Sequence, residues 1–283
     1  MPAAFGSSCA IVSDPSPYLH PSVARPDLGQ AGVFALMTPA ENPTAEPELS
    51  VLMGPDVNLL TTRMHVPDPD MNARLVGYAR RMDRWMQPLA GAPLDGVLFA
   101  CTGSSYLVPP HQAPGREISQ GGRTLPLVAA AEAVHDALKA LNARRLVIIS
   151  PYPDSLTAAA IAWWRGRGYG VEAVLNVPPA AHGHPIYARD VRAILATLRR
   201  AGDQTGDVVL ALGTGAPSLP ALAIASLETG RPMLSSNLCT AWAASRLTSP
   251  ASSEAPDAWL RPQAPWRARL AERFPRLMSR PDL

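Results

Sequence analysis

The sequence predicts an α/β fold of two pseudo-symmetric, doubly wound parallel-sheet lobes with the active site between them. Three observations predict it. Short apolar runs such as Val97-Leu98-Phe99-Ala100 and Leu146-Val147-Ile148-Ile149 carry no polar alternation, which marks strands covered on both faces, as parallel strands are. Helical segments separate those runs, the order that builds βαβ units. The stretches Asp95-Gly-Val-Leu-Phe-Ala-Cys-Thr-Gly and Asp207-Val-Val-Leu-Ala-Leu-Gly-Thr-Gly share an acid, an apolar strand and a closing Thr-Gly, the mark of an internal duplication.

Taken in order, residues 1–30 hold Asp14-Pro15-Ser16-Pro17 and no sustained periodicity, so they read as an extended N-terminal arm. A strand over 32–37, a Pro-rich loop and a helix over 44–53 with Thr44 as its cap open the first lobe. A second strand covers 57–64. In the helix that follows, up to Pro88, Leu75, Tyr78, Met82, Trp85 and Met86 fall on one face at spacings of three and four, a stripe that faces a core. The third strand runs into Cys101. Residues 109–124 read as a loop long enough to serve as an active-site lid. A helix over 126–141, a strand over 144–150, a helix over 153–167 stopped by Gly168, a strand over 170–177 and a helix over 185–201 come next. The strand after Asp207 and a helix over 217–229 complete the second lobe. The helix over 238–247 reads as returning to the first lobe, so the lobes are 31–142 plus 235–249, and 143–234. Residues 250–283, rich in Pro and Arg, read as a peripheral C-terminal tail packed through Trp259 and Trp266.

Composition narrows the function. Apolar residues make up 47% of the 283, which suits a soluble globular chain. Charge is nearly balanced (25 basic against 23 acidic, net +2) with no basic stripe, so a small molecule is favoured as partner over nucleic acid. Cys9, Cys101 and Cys239 stand too far apart for a zinc site or a disulfide framework and fit a reducing cytoplasm. No apolar run reaches about 18 residues and the amino end has no signal-peptide pattern, so no membrane association is expected. The oligomeric state stays open, a homo-oligomer included.

The chemistry concentrates at Cys101. It ends a buried strand and is followed by Thr102-Gly103-Ser104-Ser105, whose hydroxyls and backbone N–H groups can hold an anion beside a thiol. The competing reading is a buried cysteine acting as a small hydrophobe. His182 and His184 titrate near neutral pH, so either suits an acid or base, or simply a polar loop. Asn42 is a ligand or an Asx turn before Pro43. Arg63 reads as pairing with Glu46 or Glu48. The Gly213-Thr214-Gly215 turn lacks the third glycine of a dinucleotide fingerprint.

Several segments, in this order, resemble the aspartate/glutamate racemase superfamily, in its maleate cis-trans isomerase and arylmalonate decarboxylase branch. They are the P-x-x-N-P-T-x-E-x-E run at 39–48, Arg63-Met64, Cys101-Thr102, Ser150-Pro151-Tyr152, the Asp207 strand and Ser235-Ser236-Asn237, and the resemblance spans 32–245. It implies two α/β lobes, no metal or organic cofactor, and one catalytic cysteine position per lobe. Here the second-lobe position is Gly213, a departure that puts two-thiol racemisation in doubt. The resemblance implies Cys101 and Tyr152 as catalytic residues, with Asn42, Thr102, Gly103, Gly213, Thr214, Gly215 and His182 around the substrate carboxylate. The function it implies is isomerisation of a small dicarboxylate through the single thiol. The alternatives are an arylmalonate-type decarboxylase with Cys101 as proton donor, and a carboxylate-binding protein without turnover.

Overall fold

In the computed structural model, which describes residues 27–248 and 255–283, strand β1 (Gly32–Pro39) is buried along its whole length because it stands inside a sheet. It is followed by α1 (Ala45–Met53), β2 (Val57–Met64), α2 (Met71–Arg80), α3 (Met82–Met86), β3 (Gly96–Phe99) and α4 (Thr102–Leu107). Then come β4 (Glu117–Gln120), β5 (Arg123–Ala129) and α5 (Ala130–Ala140). The sheet order is β2-β1-β3-β5-β4, parallel except where β4 runs against β5. The second half repeats the plan with β6 (Arg145–Ser150), α6 (Asp154–Gly166), β7 (Gly170–Asn176), α7 (Val191–Gly202), β8 (Val208–Ala211), α8 (Ser218–Thr229) and β9 (Met233–Ser235). Its order is β7-β6-β8-β9, all parallel. The chain then runs through α9 (Ser236–Thr248), α10 (Pro256–Leu260), α11 (Pro265–Arg273) and α12 (Pro275–Met278).

The duplicated acids have a common task. Asp95 Oδ2 accepts the Val33 N–H at the start of β1, at 2.8 Å. Asp207 Oδ2 accepts the Arg144 and Arg145 N–H groups at the start of β6, each at 2.8 Å. In each lobe the acid before the third strand therefore ties down the start of the strand beside it. While β9 stays in the second sheet, α9 packs on α1 and α5 of the first lobe and buries Cys239 completely.

Several elements differ from the sequence reading; the single helix read up to Pro88, for one, is two, Met71–Arg80 and Met82–Met86. Residues 109–124 are not a single loop, since Glu117–Gln120 and Arg123–Ala129 form a hairpin closed by Gly121-Gly122. The helix expected over 126–141 starts only at Ala130, because β5 continues through Pro126. That proline sits where β5 changes partner, from β4 to β3, a point at which a missing N–H is tolerated. The helix expected over 185–201 starts at Val191, capped by the Asp190 side chain on the Arg192 N–H.

The C-terminal segment is more than a peripheral tail. Trp266 is 1% exposed and its Nε1 donates to Trp259 O at 2.8 Å. Arg269 donates to the last carbonyls of α1, Val51 O at 2.6 Å and Leu52 O at 2.7 Å, while Arg267 donates to Ala223 O of α8 at 2.6 Å. The segment thus clamps one helix from each lobe. Cys9 and most of the N-terminal arm, like residues 249–254, lie outside the described residues. Among the described residues no helix is long and apolar enough to cross a membrane, and no group of three or more His, Cys, Asp or Glu is placed to hold a metal ion.

Emptying the Trp266 site tests the clamp. Trp266→Ala is expected to lower unfolding free energy by about 3–5 kcal/mol in equilibrium denaturation, as deletion of a buried indole does. A loss below about 1 kcal/mol would show that α11 is not part of the cooperative fold.

Candidate active site

Strand β3 ends at Phe99, and Cys101 occupies the N-cap position of α4. The thiol is 4% exposed, and Ser104 Oγ lies 3.1 Å from Sγ and 2.7 Å from Leu75 O. The hydroxyl has one hydrogen, so it donates to the thiol or to the carbonyl, not to both. Burial pushes the Cys101 pKa up, and the Ser104 hydroxyl and N–H oppose that rise by favouring the thiolate.

Strand β8 delivers the opposite wall. The 213–215 turn follows it, and Gly213 has φ +90°, where a side chain would be strained. Among the described residues no acceptor is bonded to the N–H of Gly213, Thr214 or Gly215. Buried unpaired N–H groups in such a turn form a ready cradle for an oxyanion. Tyr152, after β6, reaches across with its hydroxyl 2.7 Å from Thr102 Oγ1. Burial holds its pKa well above that of an ordinary phenol, so it stays protonated and able to donate.

These groups enclose a cavity of about 30 Å³, space for about one water-sized group. The structure brings Cys101, Tyr152, Thr102, Gly103, Gly213, Thr214 and Gly215 together on its walls, with Pro39, Leu75, Leu156, Ile186 and Tyr187 as the rest of the lining. Asn42 is not among them. Its Oδ1 accepts the N–H groups of Thr44 (2.9 Å) and Ala45 (3.1 Å), which makes it the cap of α1 in place of Thr44, and its Nδ2 donates to Thr214 Oγ1 at 3.4 Å. His182 is not there either: it is exposed on the surface. Two residues on, His184 faces inward, stacks on Tyr187 at 4.0 Å and accepts the Ile186 and Tyr187 N–H groups on Nδ1. Arg63 pairs with Glu46 and donates to Asn42 O at 2.8 Å, the structural role read from the sequence.

The cover of the cavity is the segment around Ile186 and Tyr187; no residue of 109–124 lines it. A Cβ on Gly215 would fall 2.3 Å from the Tyr187 ring, so glycine is what lets the ring close over the turn. Sequence reasoning missed Tyr187, Leu75 and, above all, Glu48. Glu48 is 4% exposed and accepts from the Leu219 N–H and from Asn237 Nδ2, each at 2.8 Å. Desolvation raises its pKa to about 7, against the lowering effect of those hydrogen bonds. The signal was available, because Glu48 falls in line with Ala45, Leu49 and Leu52 on the buried face of α1.

Fold and site define a two-lobed α/β protein in which a buried cysteine and a turn with unpaired N–H groups, one from each lobe, line a common cavity. No protein-family profile matches the chain. It is 24% identical over 216 residues to the maleate isomerase of Nocardia farcinica, an alignment covering 71% of this chain and 84% of that one. A cysteine-to-serine mutant of Nocardia farcinica maleate cis-trans isomerase, solved with a covalently bound succinylcysteine intermediate, superposes with a TM-score of 0.63 at 22% identity, over 76% of this chain and 92% of that one. Arylmalonate decarboxylase gives 0.54 at 18% identity, over 76% and 92%. Relatives in sequence and in structure thus come from the maleate isomerase and arylmalonate decarboxylase branch of the aspartate/glutamate racemase superfamily, and the chain has that two-lobe fold.

Glu48 gives the junction a pH signature. The folded chain keeps this acid protonated up to about pH 7, whereas the unfolded chain ionises it near 4.5, so folding takes up a proton between those values. The stability this adds is complete below the unfolded pKa and is lost as pH rises through the folded one. Urea titrations between pH 5 and 8 are expected to show native stability falling relative to Glu48→Gln, by on the order of 3 kcal/mol over the full window. Parallel curves for the two proteins would mean that Glu48 is ionised in the folded chain.

Proposed function

We propose that this chain is a cofactor-independent isomerase of small dicarboxylates, with Cys101 as nucleophile. The observation that carries the reading is that Cys101, Tyr152 and the 213–215 turn, whose N–H groups have no acceptor among the described residues, line one cavity. The Cys101 thiol loses its proton to solvent, and the thiolate adds to one carbon of a cis-enedioate to form a C–S bond. The π electron pair moves onto the neighbouring carboxylate as an enediolate. The former double bond is then single and rotates; collapse of the enediolate restores the double bond in the trans form and expels the thiolate.

No proton needs to be added to carbon along this route, so a single thiol suffices for it. What the route needs is stabilisation of the enediolate, and N–H groups with a phenol supply it. Each well-placed donor of this kind is worth about 3–4 kcal/mol of barrier. The succinylcysteine in the Nocardia farcinica mutant supports the carbon–sulfur bond of this route; a succinyl group also carries a hydrogen added at the neighbouring carbon, so that adduct is the protonated form of the enediolate drawn here.

Proton NMR in D₂O with maleate tests it. The native chain is expected to release fumarate, Cys101→Ser to lose at least about a thousandfold in rate, and Tyr152→Phe to lose about 10²–10³-fold. Unchanged turnover in Cys101→Ser would remove the thiol from the chemistry. Deuterated arylpropionate from an aryl-methylmalonate, with maleate left untouched, would make the chain a decarboxylase instead.

A further inference from the structure

A second cavity adjoins the first. It holds about 20 Å³ and shares Pro39, Leu75, Ile186 and Tyr187 with the inner one, so that Tyr187 stands as the partition. Its remaining wall brings in Met71, Arg74 and Tyr78 from α2, with Glu41 and His184. Arg74 and Tyr78 are four residues apart on one helix and therefore neighbours. The guanidinium favours ionisation of the Tyr78 phenol, while burial and Cys101 oppose it.

Arg74 is held but not neutralised. Its Nη1 donates to Asp68 O at 2.7 Å and to Pro69 O at 3.2 Å, and among the described residues no carboxylate pairs with it. It is the single Arg or Lys lining either cavity. The inner cavity offers dipoles alone, which suit one delocalised charge. A dianion brings a second charge, and a guanidinium fixed by backbone carbonyls is the group that meets a carboxylate with two parallel hydrogen bonds. Two opposing groups face it. Glu41 sits at the rim with 73% of its side chain exposed and 3.9 Å from His184 Nε2, and burial keeps His184 toward its neutral form.

We propose that the outer cavity is a second carboxylate subsite, in which Arg74, backed by Tyr78, holds the carboxylate remote from the one at the 213–215 turn. This rests on the dicarboxylate reading above and deepens it: one end of the substrate is bound by backbone dipoles, the other by a fixed cation. The site then selects diacids over monoacids. Glu41 acts against the dianion from the rim, and its removal favours binding.

The test separates binding from turnover. Maleate and cis,cis-muconate are titrated by calorimetry into Cys101→Ser protein, alone and combined with Arg74→Gln, Arg74→Lys or Glu41→Gln. For at least one diacid, Arg74→Gln is expected to weaken binding about tenfold or more. Arg74→Lys should weaken it less, and Glu41→Gln should tighten it. The monomethyl ester of maleate should respond little to Arg74. The proposal is overturned if no diacid binds, if diacid affinity is independent of Arg74, if ester and diacid lose equally, or if Glu41→Gln weakens binding as for an ammonium-bearing ligand. The NMR assay stands apart. Diacids bound through Arg74 without turnover refute the isomerase reading alone, and fumarate formation with unchanged KM in Arg74→Gln refutes the subsite alone.

Discussion

The site depends on the hydrogen bond from Thr214 Oγ1 to Ala100 O, 2.8 Å long and buried, which joins the ends of β8 and β3. It fixes the turn opposite Cys101 at the residue next to Cys101 itself. Around it, Asn237 Nδ2 donates both to Thr214 O at 3.0 Å and to the Glu48 carboxyl group, and Thr44 Oγ1 donates to Gly215 O at 2.9 Å. First-lobe side chains therefore take up the hydroxyl and carbonyl side of the turn. Its N–H groups have no acceptor among the described residues. Buried donors without partners each cost about 1–3 kcal/mol, so a turn that keeps three of them must be held from outside, and the lobe junction is what holds it.

The backbone at 213 suits glycine. A cysteine at 213 would have to adopt φ +90° with its Cβ 3.1 Å from Pro151 Cγ and 3.4 Å from the Tyr152 hydroxyl. Glycine relieves both constraints. In the route proposed above, charge is held on an enediolate and then returned, which requires hydrogen-bond donors and no acid at 213, and a turn supplies backbone donors without any side chain.

Much of this was legible in the residues. The duplication could be read because the acids at 95 and 207 do the same work in each lobe, and the central strands could be read because continuous burial leaves no polar alternation. Strand β5 was hidden by Pro126, whose place between two partners is a property of the sheet and not of the local sequence. The cover was hidden for a similar reason. Pro185 looks like the first residue of a helix, yet Ile186 and Tyr187 turn toward the cavity and the helix begins only after Asp190. His182 and His184 look equivalent in Ala-Ala-His-Gly-His-Pro; a bend at Gly183, φ +98°, sends one outward and the other against Tyr187. Asn42 shows local chemistry prevailing, since its side chain satisfies the start of α1 and only its amide nitrogen is left to reach the second lobe.

The size of the cavities limits what the site admits. Spaces of about 30 and 20 Å³ each admit one small group, and a ring packed on Gly215 separates them. A molecule with a carboxylate at each end spans both only when that ring moves. The ends of the covering segment are fixed by buried Arg189, which donates to Val177 O at 3.0 Å and to Pro151 O at 2.6 Å. Between those anchors the backbone bends at Gly183, φ +98°. Pro151 precedes Tyr152, so the anchor that limits the cover also steadies the phenol. In the proposed reaction, a cover that keeps water from the thiol would strengthen each dipole that meets the enediolate.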